Sequence, residues 1–238
     1  MKRLVVLLCI CGGIAAGGAQ PAGATNECRG LLICIPVAGP WVAVPAGLGV
    51  RRARVDFLLS CPRRYTIGGL DAELSDRAID IGFLGKLGGP VGPGVTTGRS
   101  AVFAGTYVGA SARAPSFRPH LGCIPASGGG AGPVPYRRTA AAGAFAPGEP
   151  TVRRLRNVRL RPGVVRAVAA CEAGERLVSG WHAVAFYTSG PPDSALLRSV
   201  QTARTVRGGR VSVRLQADAA VAQVRAIVQV GAVCAGGA

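Results

Sequence analysis

Val55-Asp56-Phe57-Leu58-Leu59 leads into Cys61, and Val164-Val165-Arg166-Ala167-Val168 leads into Cys171. Both runs are short and rich in apolar and β-branched residues, which is the signature of a strand. Spacing suggests a partner for each cysteine. Cys61 and Cys123 lie 62 residues apart, and Cys171 and Cys234 lie 63 apart. Further likenesses extend outward from these anchors. Counted back from the second cysteine of each pair, Gly98-Arg99 and Gly209-Arg210 fall at the same distance, and Val102 coincides with Val213. Counted forward from the first cysteines, Ile67-Gly68-Gly69 matches Val178-Ser179-Gly180 after one gap. Phe83 and Phe186 occupy similar apolar runs, followed by Gly89-Pro90 and Gly190-Pro191. Upstream, Val42-Ala43-Val44-Pro45-Ala46-Gly47 parallels Val158-Arg159-Leu160-Arg161-Pro162-Gly163. Agreement from both ends predicts two tandem copies of one disulfide-closed module.

Ala101 to Val108, Val211 to Leu215 and Val224 to Val230 read as further strands, with Gly88-Gly89-Pro90 and Gly190-Pro191-Pro192 as breaks between segments. No long window carries helical periodicity. Leu70 to Ala78, Ala203 to Arg207 and Ala217 to Val224 each leave room for about one turn of helix. The expected fold class is all-β, with two tandem disulfide-closed β-sandwich modules. Trp181, shortly after Cys171, invites comparison with immunoglobulin domains. Leu121 and Ala232, two residues before the second cysteines, are not the tyrosines of that fold, and the first copy has no tryptophan after Cys61. Immunoglobulin-like and jelly-roll-like topologies both stay open.

The cysteine reading depends on compartment. Met1-Lys2-Arg3 is a basic start, Leu4 to Ile10 is apolar, and Ala22-Gly23-Ala24 places a signal peptidase cut before Thr25. A membrane span needs about 20 apolar residues, and this run is shorter. Cys9 and Cys11 follow Leu8 and Ile10, where a lipid-acceptor cysteine needs a small residue, so lipidation is the weaker alternative. Cleavage leaves cysteines 28, 34, 61, 123, 171 and 234, and an even set outside the cell reads as disulfides. The repeat favours Cys61–Cys123 and Cys171–Cys234, leaving Cys28 and Cys34 to close a small loop. The resulting division is a signal peptide over 1–24, a first β-sandwich module with its N-terminal cysteine loop over 25–125, a Gly/Ala/Pro-rich linker over 126–150 and a second module over 151–238. A long surface loop inside one larger sandwich is the alternative to that linker.

Cys61-Pro62-Arg63-Arg64 with Gly68-Gly69, Cys171-Glu172-Ala173-Gly174, and Val233-Cys234-Ala235 together resemble exported β-sandwich repeat proteins of high-GC bacteria, whose segments open with Cys-Pro-x-Gly and close on Val-Cys-Ala. The first copy has Arg64 in place of that glycine, and the second has Glu172 in place of the proline. The resemblance implies a secreted β-rich module and brings no catalytic residues.

The chain carries a formal charge of +17, of which Lys2 and Arg3 would leave with the signal peptide. Lys2 and Lys86 are its only lysines, so the positive charge is arginine. Codon composition in a GC-rich genome and a solvated surface account for such a balance, and so does a face that grips anions with paired hydrogen bonds. For the second reading, the candidate ligands are Arg137, Arg138, Arg153, Arg154 and Arg156. A strand would turn Arg153 away from Arg154 and Arg156. Anionic envelope polymers or lipid headgroups are the expected partners. A specific nucleic-acid partner is not expected, because no aromatic residues alternate with the arginines as stacking platforms.

His120 and His182 are the only histidines, and no C-x-x-C, P-loop, G-x-S-x-G or H-E-x-x-H motif occurs. No metal or cofactor is expected. Ser179, His182 and Asp193 could be drawn together as a nucleophilic set, and Asp71, Glu73, Asp76 and Asp80 form an acidic stretch. The reading of function is an exported non-catalytic envelope or extracellular protein acting as scaffold or binding module. The alternative is an extracellular hydrolase with an unrecognised site.

Overall fold

A computed structural model describes residues 25–46, 53–85, 98–110, 114–126 and 151–236. The expected signal peptide, Arg51 and Arg52, Gly88-Gly89-Pro90 and most of the linker, with Arg137 and Arg138, lie outside the described residues. The first half contains β1 (Ile35–Ala38), β2 (Trp41–Ala43), β3 (Arg54–Ser60), β4 (Tyr65–Leu74), β5 (Ile79–Leu84), β6 (Ser100–Tyr107) and β7 (Ser116–Pro125). The second contains β8 (Thr151–Arg159), β9 (Gly163–Ala170), β10 (Arg176–Tyr187), α1 (Ser194–Arg198), β11 (Val200–Arg207), β12 (Arg210–Ala217), a 3-10 turn (Ala219–Gln223) and β13 (Arg225–Ala235).

All strand pairs are antiparallel. β1 and β2 follow one another along one edge of β7, and β4 takes its other edge. The run β4-β7-β1/β2 continues through β10 and β13 to β8, making a single seven-stranded sheet. The joint is short: Val42 pairs with Ala185 and Trp41 with Phe186. Two three-stranded sheets, β3-β6-β5 and β9-β12-β11, complete the architecture. Strand order therefore repeats along the chain, as β1/β2-β7-β4 with β3-β6-β5 and then as β8-β13-β10 with β9-β12-β11.

The small sheets cover opposite faces of the large one. Ala183, Ala185 and Ile227 point into a core with Val55, Phe57, Phe103 and Phe117. Their neighbours Val184, Phe186, Ala226 and Val228 point the other way, into a core with Ala167, Val211, Val213 and Leu215. Successive side chains alternate across a strand, so a strand covered on both faces must be apolar throughout. The continuous apolar run of β13 meets that demand, whereas β12 alternates, with Val211, Val213 and Leu215 wholly buried. Gln229 is the polar exception in β13. At 2 % exposure its amide bonds both backbone groups of Leu58, accepting from N at 2.6 Å and donating to O at 3.1 Å, which fastens β3 to the large sheet.

All three expected disulfides form. Cys28–Cys34, Cys61–Cys123 and Cys171–Cys234 have Cα separations of 5.6, 5.7 and 5.6 Å. Each long bridge runs from the end of one small-sheet strand to the end of a large-sheet strand. Some local expectations are corrected. Leu70 to Leu74 continue β4, and Ala203 to Arg207 belong to β11. In the latter, Gly208 and Gly209, with φ of 56° and 71°, form the left-handed turn that folds β11 onto β12. Pairing of β4 with β7 and of β11 with β12 overrides the weak helical preference of these segments. The turn of helix in Ala217 to Val224 is present as the 3-10 segment, capped by Asp218. The helix α1 was not expected, although Pro191-Pro192-Asp193-Ser194 is a capping sequence and the Asp193 carboxylate accepts from Leu196 N at 2.7 Å. Phe83 and Phe186 are not counterparts, for they lie on β5 and β10. Ile67 stands opposite Cys123 as Leu177 stands opposite Cys234, and each is followed by a bulge, so the match to Val178 is displaced by one residue.

Candidate functional site

The β8 arginines are separated by the strand they share. Arg153 pairs with Val233 and lies half-buried between the large sheet and β3, where it lines cavities of about 310 and 540 Å³. Asp56, Trp181, Val178 and Ser179 share the first cavity, while Leu58, Ser60 and Arg99 share the second. Burial pulls the Arg153 guanidinium below its ordinary pKa, and the Asp56 carboxylate opposes that pull. Arg154 faces the other way and is engaged by acids. Nε and Nη2 donate to the Glu175 carboxylate at 2.8 and 2.5 Å, and Nη1 pairs with Glu172. Arg156, two residues on, is exposed. The five candidate arginines thus do not converge among the described residues: one is wedged between the large sheet and β3, one is ion-paired, one is free at the surface, and Arg137 and Arg138 lie outside that range.

Arg154 sets up a testable acid response. Its hydrogen bonds, and then the Glu172 N–H, hold the Glu175 carboxyl at about 2. The ordinary unfolded value is about 4.3. A depressed carboxyl contributes stability that is present in full above the unfolded value and is lost as pH falls through the folded one. Arg154→Gln should therefore be less stable than the parent at neutral pH, and the two should converge as pH drops from about 4.3 towards about 2, read by denaturant unfolding across that range. A constant gap over the whole range would rule out this linkage.

The candidate nucleophilic set is not assembled. Ser179 and His182 point to opposite faces of β10, and the Asp193 carboxylate is occupied in capping α1. His182 Nε2 lies 3.0 Å from Thr202 Oγ1, and burial together with the Arg204 guanidinium holds its imidazole below the ordinary value. The acidic stretch is absorbed into structure. Asp71 accepts from Asn26 N at 2.6 Å, Asp76 accepts from Ala78 N at 2.8 Å and from the Tyr107 hydroxyl, and Asp80 is exposed. Glu73 lies 3.8 Å from Arg118 and 3.7 Å from His120. His120 is buried on the outer face of β7, with Glu27 at 3.5 Å on its other side. The carbonyl of Glu27 fits against Gly69 and Gly122, and a Cβ at either position would collide with it. These contacts seat the N-terminal cysteine loop on the sheet, and none of the three cavities described in this section is lined by a histidine. Cys171, Cys234 and Glu175 group their ligand atoms closely, but the two sulfurs are bonded to each other and offer no thiolate to a metal.

A second arginine group was missed by the sequence reading. On β12 the buried Val211, Val213 and Leu215 turn Arg210, Ser212 and Arg214 outward. Register places Arg207 of β11 opposite Arg210, and Arg166 of β9 opposite Arg214. Thr205 and Val168 flank Ser212 between these two rungs. Arg166, Arg207 and Arg210 surround a shallow depression of about 500 Å³ whose other lining residues are Thr205, Gly208 and Ser212. All four arginines are exposed, and none has a carboxylate partner among the described residues. The signal for this group was available in the alternation of β12, but its partners lie on separate strands, and linear density alone favoured β8.

Comparison with family models, curated proteins and solved structures yields no match. Among the described residues, no helix is long and apolar enough to cross a membrane.

Proposed function

We propose that this is an exported, non-catalytic protein of the cell envelope or extracellular space, which engages anionic surface polymers through arginine. We further read it as two tandem copies of one disulfide-closed β-sandwich, over 25–125 and 151–238, joined by 126–150. Repeated strand order and the matching bridges Cys61–Cys123 and Cys171–Cys234 support the duplication. Disulfides persist in oxidising compartments, which supports export together with the basic and apolar start of the chain.

The observation that carries the binding role is the charge balance on the folded surface. The Glu172, Glu175, Asp56 and Glu73 carboxylates already face Arg154, Arg54 and Arg118, whereas Arg156, Arg166, Arg207, Arg210 and Arg214 have no such neighbour among the described residues. Such a surface attracts polyanions at long range, and salt weakens the attraction. The non-catalytic part of the reading is supported by the separate placements of Ser179, His182 and Asp193. The exported chain should be retained on immobilised linear polyphosphate, with affinity falling at least about tenfold between roughly 50 and 200 mM salt. No retention at low salt would defeat the reading, and retention indifferent to salt would remove its electrostatic basis.

A further inference from the structure

We infer that the outer face of β9-β12-β11 is a binding site for a linear, base-free chain of linked phosphates, gripped by Arg166, Arg214, Arg207 and Arg210. The inference rests on the polyanion reading above and gives it a place and a chemistry. The first support is a local cost. Residues directly opposite on antiparallel strands bring their Cβ atoms to about 4.5–5.5 Å, and like charges there are destabilising. This sheet sets two arginine pairs in that relation, Arg166 with Arg214 and Arg207 with Arg210. Glu172, which follows β9, is held by Arg154. An anion lying across a rung removes the repulsion, so binding and folding are linked on this face.

Spacing and donor type select the occupant. Arg210 and Arg214 are four residues apart on an extended strand, which separates the rungs by about 13 Å. One small anion cannot neutralise both rungs, whereas a chain of linked phosphates brings charge to each. Ser212 and Thr205 face each other between the rungs and add hydroxyl donors. An in-chain phosphate presents two unbridged oxygens in a tetrahedral fork and two bridging oxygens as weaker acceptors, so guanidinium and hydroxyl donors can reach it from several directions, whereas a carboxylate offers two oxygens in one plane. The outward positions on these strands are filled by Arg, Ser, Thr, Val, Gln and Ala. No aromatic ring is among them, so a polymer that binds through stacked bases finds no platform here. Gly208 and Gly209 close the hairpin without side chains and leave the end beside Arg207 and Arg210 open to the polymer.

The test compares the exported chain with Arg166→Gln/Arg214→Gln, with Arg207→Gln/Arg210→Gln, and with Arg63→Gln/Arg77→Gln as a control that removes the same charge from exposed turns of the first half. The probe is linear polyphosphate, set against poly-glutamate and a single-stranded DNA homopolymer of equal charge. Each sheet variant should bind polyphosphate at least about tenfold more weakly at low salt, and its log-affinity against log-salt slope should be shallower by about 1.4, while the control stays near the parent. Polyphosphate should raise the parent's unfolding midpoint, and the unliganded sheet variants should unfold at or above the parent's midpoint because a like-charged pair is gone. Sheet variants that bind no worse than the control overturn the site while leaving the polyanion reading intact. A parent that binds no polyanion overturns that reading and the site with it. Equal or tighter binding of poly-glutamate overturns the phosphate assignment, and tighter binding of DNA overturns the base-free one. A lowered midpoint in the unliganded sheet variants overturns the uncompensated pairing from which the site is inferred.

Discussion

Replacing Cys171 and Cys234 together by alanine is expected to lower the free energy of unfolding by about 4 kcal/mol, the chain-entropy value for a loop of this length. The bridge spans 63 residues and enters β13 at a cysteine with no exposed surface. It ties the end of β9, and with it β12 and β11, to the large sheet, so its loss frees a long loop in the unfolded chain and leaves β9-β12-β11 held by packing and by the side-chain hydrogen bonds of Thr202 and Arg204 to β10. Cys61→Ala/Cys123→Ala should be comparable, with a loop of 62 residues, whereas Cys28→Ala/Cys34→Ala should cost about 2 kcal/mol because its loop is short. Urea titration of the three variants gives the order. A small-loop variant as destabilised as the other two would show that strain or local packing, rather than loop closure, governs these bridges.

That order follows from features legible in the sequence. Strand-forming runs next to cysteines at nearly equal spacing carried the fold class, because period-two patterning and disulfide spacing are local quantities. Register was less legible. Phe83 and Phe186 looked alike as aromatic residues in apolar runs, but one lies on a small-sheet strand and the other on a large-sheet strand. Pairing partners, not neighbours in sequence, decide that difference. The joint between halves was also hidden. Val42 and Ala185 belong to ordinary strand sequences, and nothing in either announces that the edge of β2 will accept β10. The signal that could have been read is β13, whose run, apolar after Arg225 except for Gln229, calls for cover on both faces.

The site was less legible than the fold for the same reason. Arg153, Arg154 and Arg156 are prominent as a linear cluster, yet alternation sends Arg153 into the space beneath β3 and Arg154 to Glu172 and Glu175. Arg166, Arg207, Arg210 and Arg214 are scattered across three strands and become a group only when β12 is placed between β9 and β11. Charge density along a chain reports composition, and charge density on a sheet reports register.

Trp181→Ala should be among the most damaging single substitutions, at about 3–5 kcal/mol, the range for truncating a buried tryptophan. Trp181 is 6 % exposed on the face of β10 that looks towards β3, and its cross-strand neighbour on β13 is Gly231. A Cβ at Gly231 would overlap Cζ2, Cε2 and Cη2 of the indole, so the ring lies directly on the glycine backbone. Gly231→Ala should therefore cost about 1–3 kcal/mol through overpacking, even though alanine suits a strand at least as well as glycine does. The two effects share a cause and should not add. In Gly231→Ala/Trp181→Leu the smaller side chain gives the new methyl room, and the double variant should be more stable than the sum of the two singles implies, by about 1 kcal/mol or more. Trp181→Phe supplies a separate check on the role of the ring. Nε1 is buried without a hydrogen-bond partner among the described residues, so removing that donor should relieve part of the loss from the smaller ring. Strict additivity in the Gly231 and Trp181 cycle would mean that the indole leaves the glycine when crowded, and that the cavity of about 310 Å³ beside it takes up the displacement.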